Sequence, residues 1–197
     1  VIKNKIIVTD VDGVLLNWED AFHVWMEHQG FKKVKDYKLL YHASEQFGLS
    51  MEEGSKWIQL FNQSAAIGFL PPLRDAQEIV RLLNKNHGYR FVVCTSLSTD
   101  KNAQALRTRN LKKIFGDVFD EFVYLGTGAD KDDALYKLSK KYNGCFWVED
   151  NIKNCYAGAA VDFRPILMEH GYNMKKQQDF FVARNWEDIY LQVIRSY

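Results

Sequence analysis

Short apolar, β-branched runs recur at Ile6 to Thr9, Phe91 to Thr95, Glu121 to Leu125, Cys145 to Val148 and, more weakly, Arg164 to Met168. Each is short enough for a strand buried on both faces. Between them the spacing changes to the helical period. Asp75 to Leu83 precedes the second run, Asp100 to Lys113 follows it, Lys131 to Tyr142 follows the third, and Asn151 to Ala160 follows the fourth. This alternation predicts βαβ crossovers, and hence an α/β fold doubly wound about a mostly parallel sheet. Trp186 to Ile194 reads as a closing helix, and polar His170 to Asp179 as a loop.

One interval breaks the rhythm. Residues 17–70 contain no strand pattern but three helix-like stretches, Trp18 to Gln29, Asp36 to Phe47 and Met51 to Ile67. Trp18, Phe22, Trp25 and Met26 share one helical face, and Trp57, Leu60 and Phe61 form a second apolar patch. Pro71-Pro72 ends the run, and Gly30, Gly48 and Gly68 mark turns within it. The expected organisation is an α/β core from residues 1–16 and 71–197, with a helical insertion at 17–70.

The chain has 197 residues, enough to bury a sizeable core as one domain. With 26 Lys+Arg against 25 Asp+Glu, bulk charge gives no reason to expect general nucleic-acid binding or an acidic membrane surface. No apolar run approaches membrane-spanning length and the N-terminus leads straight into a strand, so a soluble, cytoplasmic protein is expected. Cys94, Cys145 and Cys155 are odd in number and lie outside any paired metal-binding spacing, which reads as reduced core thiols.

Chemistry is expected where parallel strands end, because loops converge at their carboxyl edge. The first run ends in Asp10-Val-Asp12-Gly13, the second in Thr95-Ser96, and the fourth in Glu149-Asp150-Asn151; the third leads through Gly-Thr-Gly-Ala-Asp to Lys131. Four carboxylates sharing one crevice demand a cation, and an all-oxygen donor set suits Mg²⁺. A substrate phosphate fits such a metal, with the Thr95 and Ser96 hydroxyls and the Lys131 ammonium left to satisfy its remaining oxygens. His23, His28 and His42 read as helix residues of the insertion rather than ligands. Arg74 either reaches the cleft or starts a helix at the surface.

DVDGV, VVCTS, Lys131 in GADKDD and VEDN, in that order, resemble the four motifs of the haloacid dehalogenase superfamily. The resemblance implies a phosphatase with Asp10 as nucleophile and Asp12 as general acid and base. It further implies that Thr95 binds phosphoryl oxygens and that Lys131 holds the nucleophile; Lys137, farther along the same stretch, is the alternative, read as an exposed lysine. Mg²⁺ would be held by Asp10, the main-chain carbonyl of Asp12 and Asp150, with Glu149 acting through water. Members that displace halide from carbon lack the second aspartate, which favours phosphoryl transfer. Asn154 stands where many relatives carry an aspartate, which removes one negative charge and leaves an amide to orient the site. The insertion matches the position of a small helical cap, making Trp18, Phe22, Trp25 and Trp57 candidates for substrate selection, with Phe61 and Phe69 beside them. The set also resembles, loosely, the 5'(3')-deoxyribonucleotidases. The expected substrate is therefore a small phosphorylated metabolite, with a nucleoside monophosphate the first to consider. A sugar phosphomutase or phosphotransferase, or a catalytically silent phosphate-binding module, are the alternatives on the same fold.

Overall fold

The computed structural model describes residues 5–174 and 179–196. Six strands pair in parallel: β1 (Ile6–Thr9), β2 (Arg90–Ser96), β3 (Phe119–Leu125), β4 (Phe146–Glu149), β5 (Arg164–Met168) and β6 (Phe181–Ala183). Their spatial order is β3-β2-β1-β4-β5-β6, so β1 is central and the order reverses direction across it. Alternate strand residues feed two cores, because successive side chains point to opposite faces. Ile7, Phe91, Val93, Phe146 and Val148 pack toward α4 (Ala76–His87), α5 (Lys101–Phe115) and α8 (Trp186–Arg195). Val8, Val92, Cys94 and Trp147 pack toward α6 (Asp132–Tyr142) and α7 (Ile152–Ala159). With both faces covered, the strands read as continuous apolar runs rather than alternating ones.

Between β1 and β2 the insertion holds α1 (Trp18–His28), α2 (Ala43–Gln46) and α3 (Met51–Asn62), with 3₁₀ turns at Tyr37–Leu39 and Ala65–Gly68. Its interior is an aromatic cluster: Trp18 stacks on Phe22 at 4.7 Å, and Phe61 and Trp25 close around them. The two connections to the sheet run side by side. Asn17 N donates to the Pro71 carbonyl and Leu73 N to the Leu15 carbonyl, each at 2.9 Å.

Three expectations change. The stretch from Asp36 to Phe47 is not one helix: it is a 3₁₀ turn and a single-turn helix, held apart by the Gln46 side chain, which donates to the Leu40 carbonyl at 2.8 Å. The stretch from Met51 to Ile67 ends its helix at Asn62, because Ser64 donates to the Phe61 carbonyl and then caps the 3₁₀ turn. Beyond the predicted loop at His170 to Asp179, of which residues 175–178 lie outside the described set, β6 adds a strand beside β5.

Candidate active site

The carboxyl end of β1 turns sharply. Val11 O accepts from the N–H groups of Val14, Leu15 and Leu16, while Val11, Val14, Leu15 and Leu16 are fully buried and anchor the turn. Asp10 and Asp12 are thereby projected beyond the sheet edge. Gly13 follows at φ +72°, and a Cβ there would lie 2.3 Å from Asp150 Oδ2. Only glycine permits this conformation and this approach.

Lys131 stands at the start of α6 with only 2% of its surface exposed. Its Nζ lies 2.6 Å from Asp10 Oδ2 and 2.7 Å from Glu149 Oε2, over the Trp147 ring. Lys137 is exposed on the outer face of α6, so the register places Lys131 in the site. The other Asp10 oxygen accepts from Val11 N at 2.7 Å, and the buried Thr95 hydroxyl lies close enough to the same carboxylate to lower its pKa. Burial pushes Asp10 up to about 6; Lys131 opposes that rise and Glu149 adds to it. Lys131 itself is raised, because its two carboxylate partners outweigh the desolvation of its charge.

Glu149 is fully buried at the end of β4. One oxygen accepts from Asp150 N and Asn151 N at 3.0 Å each, and the other from Lys131 and, at 3.3 Å, from Asn154 Nδ2. Its hydrogen bonds thus fix both the lysine and the β4–α7 turn. Burial raises it to about 7 and Asp150 to about 6. Oxygens of Asp10, Glu149 and Asp150 all lie within 4.8 Å of one another, with Lys131 the cation bonded to two of them. An all-oxygen cluster that leaves negative charge uncompensated, beside a glycine that makes room at Asp150 Oδ2, fits a hard divalent cation such as Mg²⁺.

The site floors a cavity of about 950 Å³ between the sheet edge and the insertion. Of the aromatic residues expected to select substrate, Trp18 lines it, its Nε1 donating to Asn62 Oδ1 at 2.9 Å. Phe22, Trp25 and Trp57 do not: they face the interior of the insertion, where their apolar rings pack on one another and on Phe61. Phe69 is exposed outside the cavity. Ser96 is also at the wall, but its hydroxyl donates to the Ala129 carbonyl at 2.8 Å, so its proton is committed to the loop before α6. Asn154 is directed to Glu149 rather than Asp150. His23, expected as a surface or partly buried helix residue, is buried in α1 and meets Gln46 Oε1 at 2.8 Å; the Gln46 amide in turn donates to Glu19 at the cavity wall. Arg74 lines the cavity, but its guanidinium donates to the carbonyls of Glu169 and Arg184.

Four participants were not anticipated. Arg107, fully buried on α5, meets Asp12 Oδ1 with Nη1 at 2.5 Å. Burial raises the Asp12 carboxyl and Arg107 opposes the rise. The loop after β5 supplies the rest: Tyr172 OH donates to Asp150 Oδ2, Asn173 Nδ2 to the Asp150 carbonyl at 2.9 Å, and His170 Nε2 meets the Gly13 carbonyl at 2.7 Å. Across the cavity Tyr41 of the insertion accepts from Asn151 at 2.7 Å and packs its ring against Tyr172.

No family model matches the chain. An uncharacterized 32.4 kDa protein of the Gp30-rIII intergenic region of Enterobacteria phage T4 is 29% identical over 156 residues, 76% of this chain. The chain spans 55% of that relative's length. Among solved structures, a haloacid dehalogenase-like hydrolase from Streptococcus pneumoniae superposes with a TM-score of 0.65 at 14% identity, over 98% of both chains. D,D-heptose 1,7-bisphosphate phosphatase from B. bronchiseptica, complexed with magnesium and phosphate, gives 0.62 at 13% identity over 98% of this chain and 99% of its own. An L-2-haloacid dehalogenase gives 0.61 at 10% over 96% and 99%. The fold is that of the haloacid dehalogenase superfamily.

Proposed function

We propose that the chain is a Mg²⁺-dependent phosphomonoesterase that works through a phosphorylated Asp10. The observation that carries this reading is Asp10 itself, gripped by a buried Lys131 at 2.6 Å on the floor of a large cavity, with a second aspartate two residues on. Among its structural neighbours, the heptose bisphosphate phosphatase was solved with magnesium and phosphate. The dehalogenases share the fold, and the presence of Asp12 favours phosphoryl over halide chemistry.

In the first step an oxygen of Asp10 attacks phosphorus, the bond to the leaving oxygen breaks, and Asp12 gives that oxygen its proton. Water then attacks phosphorus, Asp12 takes a proton back, and the Asp10–phosphorus bond breaks to release phosphate. Lys131 and Thr95 stabilise the charge on the attacking group and the phosphoryl oxygens. Asp10, Asp150 and the Asp12 carbonyl would hold Mg²⁺, which would further neutralise the phosphoryl charge. The insertion acts as a cap that excludes water and contacts the organic group, with Trp18 offered to a planar one. A nucleoside monophosphate is the first substrate to test, among small phosphorylated metabolites.

The test is phosphate release from p-nitrophenyl phosphate, nucleotides, sugar phosphates and phosphoserine with and without Mg²⁺. Asp10→Asn should abolish turnover while circular dichroism stays unchanged; a folded Asp10→Asn protein with undiminished turnover would rule the mechanism out.

A further inference from the structure

We propose that Arg107 is a positioning residue for proton transfer, holding one oxygen of Asp12 so that the other is presented to the leaving group. The proposal rests on the phosphatase reading above. Three observations carry it. Arg107 is fully buried, reaching from the middle of α5 to the turn after β1. Its Nη1 meets a single oxygen, Asp12 Oδ1, at 2.5 Å, and Asp12 retains 22% side-chain exposure at the cavity wall. Among the described residues, its Nε and Nη2 have no hydrogen-bond partner.

A buried guanidinium with unpaired N–H groups is costly, and an apolar side chain of the same length would fill the same space at lower cost. The arginine is therefore poorly explained by packing. A role for it follows from its bond to Asp12. An end-on grip on Oδ1 fixes the carboxyl torsion and leaves the second oxygen for the reacting proton. When Asp12 has given its proton to the leaving oxygen it becomes a carboxylate, and the guanidinium is already in place to pair with it. Arg107 does not itself line the cavity, so it acts through Asp12 and not on the substrate.

A residue that aims a general acid should matter most where the acid is most needed. A p-nitrophenolate departs readily without a proton, whereas an unsubstituted phenolate, with a conjugate acid of pKa about 10, depends on one. The experiment measures kcat/KM, which reports the step that expels the leaving group, over a series of aryl phosphates from p-nitrophenyl to phenyl. Wild type, Arg107→Met, Arg107→Lys, Asp12→Asn and the Arg107→Met/Asp12→Asn double variant are compared. The expected result is a loss in Arg107→Met at least about tenfold greater for phenyl than for p-nitrophenyl phosphate. Arg107→Lys should recover part of that difference. The double variant should be no slower than Asp12→Asn, since the two side chains act as one unit. If Arg107→Met does not fold, the same steepened dependence in Arg107→Lys supports the proposal. An equal loss across the series, no loss, or additive losses in the double variant would overturn it. A wild type inactive on every aryl phosphate and on every nucleotide, sugar phosphate and phosphoserine of the screen above would instead remove the phosphatase reading, and this proposal with it.

Discussion

Gly13 shows how narrowly one residue constrains the site. It turns the chain between Asp12 and the buried Val14 at φ +72°, and its missing Cβ is the space that Asp150 Oδ2 occupies, 2.3 Å from where the carbon would be. Gly13→Ala should cost about 1–3 kcal/mol in backbone strain alone. It should also push Asp150 away from Asp10. A displacement of about 1 Å at a reacting constellation lowers turnover by about 100-fold; thermal melting and phosphate release together check the pair of effects. At this scale the sequence was legible where carboxylates ended apolar runs, as at Asp10, Asp12 and Asp150, and where a lysine stood at the start of a helical stretch, as at Lys131. It was less legible at Arg107, because an arginine in a helix is ordinarily a solvated one. A signal was nonetheless present: Ala103, Arg107, Asn110 and Leu111 fall on one helical face and all are buried, while Arg109 is exposed. The spacing placed Arg107 in the apolar stripe.

Among the elements, the loop between β5 and β6 does more than its polar composition announced. Its hydrogen bonds reach Asp150 through Tyr172 and Asn173 and the Gly13 carbonyl through His170, and it also meets the insertion. Gly171 lies against the Lys38 carbonyl, where a Cβ would come within 2.4 Å, and the next residue packs its ring on Tyr41. Gly171→Ala should therefore part the loop from the insertion while leaving the floor of the site intact. The expected outcome is a KM for organic phosphates raised about tenfold, with kcat and competitive inhibition by inorganic phosphate little changed; steady-state kinetics separate these. The loop was read from its polar composition, but neither its contacts nor β6 could be read in advance. A three-residue strand, Phe181–Ala183, carries too little pattern to stand out, and backbone carbonyls that receive side chains from 157 residues away leave no mark on local periodicity. The five longer strands and the helices between them were legible because both sheet faces are covered, which demands unbroken apolar runs. The insertion was legible as helical, but its breaks at Leu40 and Ser64 depend on side-chain bonds to the backbone that spacing does not encode.

Across the whole molecule, charges nearly balance, with a formal net of +1, yet the site gathers Asp10, Glu149 and Asp150 around one lysine. That imbalance makes stability depend on pH and metal together. In the metal-free protein, burial raises Asp10 and Asp150 from 3.8 to about 6 and Glu149 from 4.5 to about 7, Lys131 offsetting part of each rise. Over pH 4–7 the folded chain thus holds more protons than the unfolded one at these positions. Stability must fall as pH rises through that window. Lys131, whose pKa is raised above 10.5, contributes no change there. Surface carboxylates with lowered values, such as Glu121 and Asp188, act in the opposite sense but have finished titrating by about pH 5. His170, lowered by burial, also opposes the trend, as one group against four, since burial raises Asp12 as well. The metal-free protein should melt at a lower temperature at pH 7 than at pH 5. A cation bound by the ionised cluster stabilises the folded state only where the carboxylates can give up their protons. Magnesium should therefore raise the melting temperature more at pH 7 than at pH 5, and reverse the order of the two. Asp150→Asn should flatten both the metal-free slope and the magnesium response, since it removes one raised carboxylate and one cation ligand at once. Equal magnesium shifts at the two pH values would mean that the cation binds elsewhere than at these carboxylates.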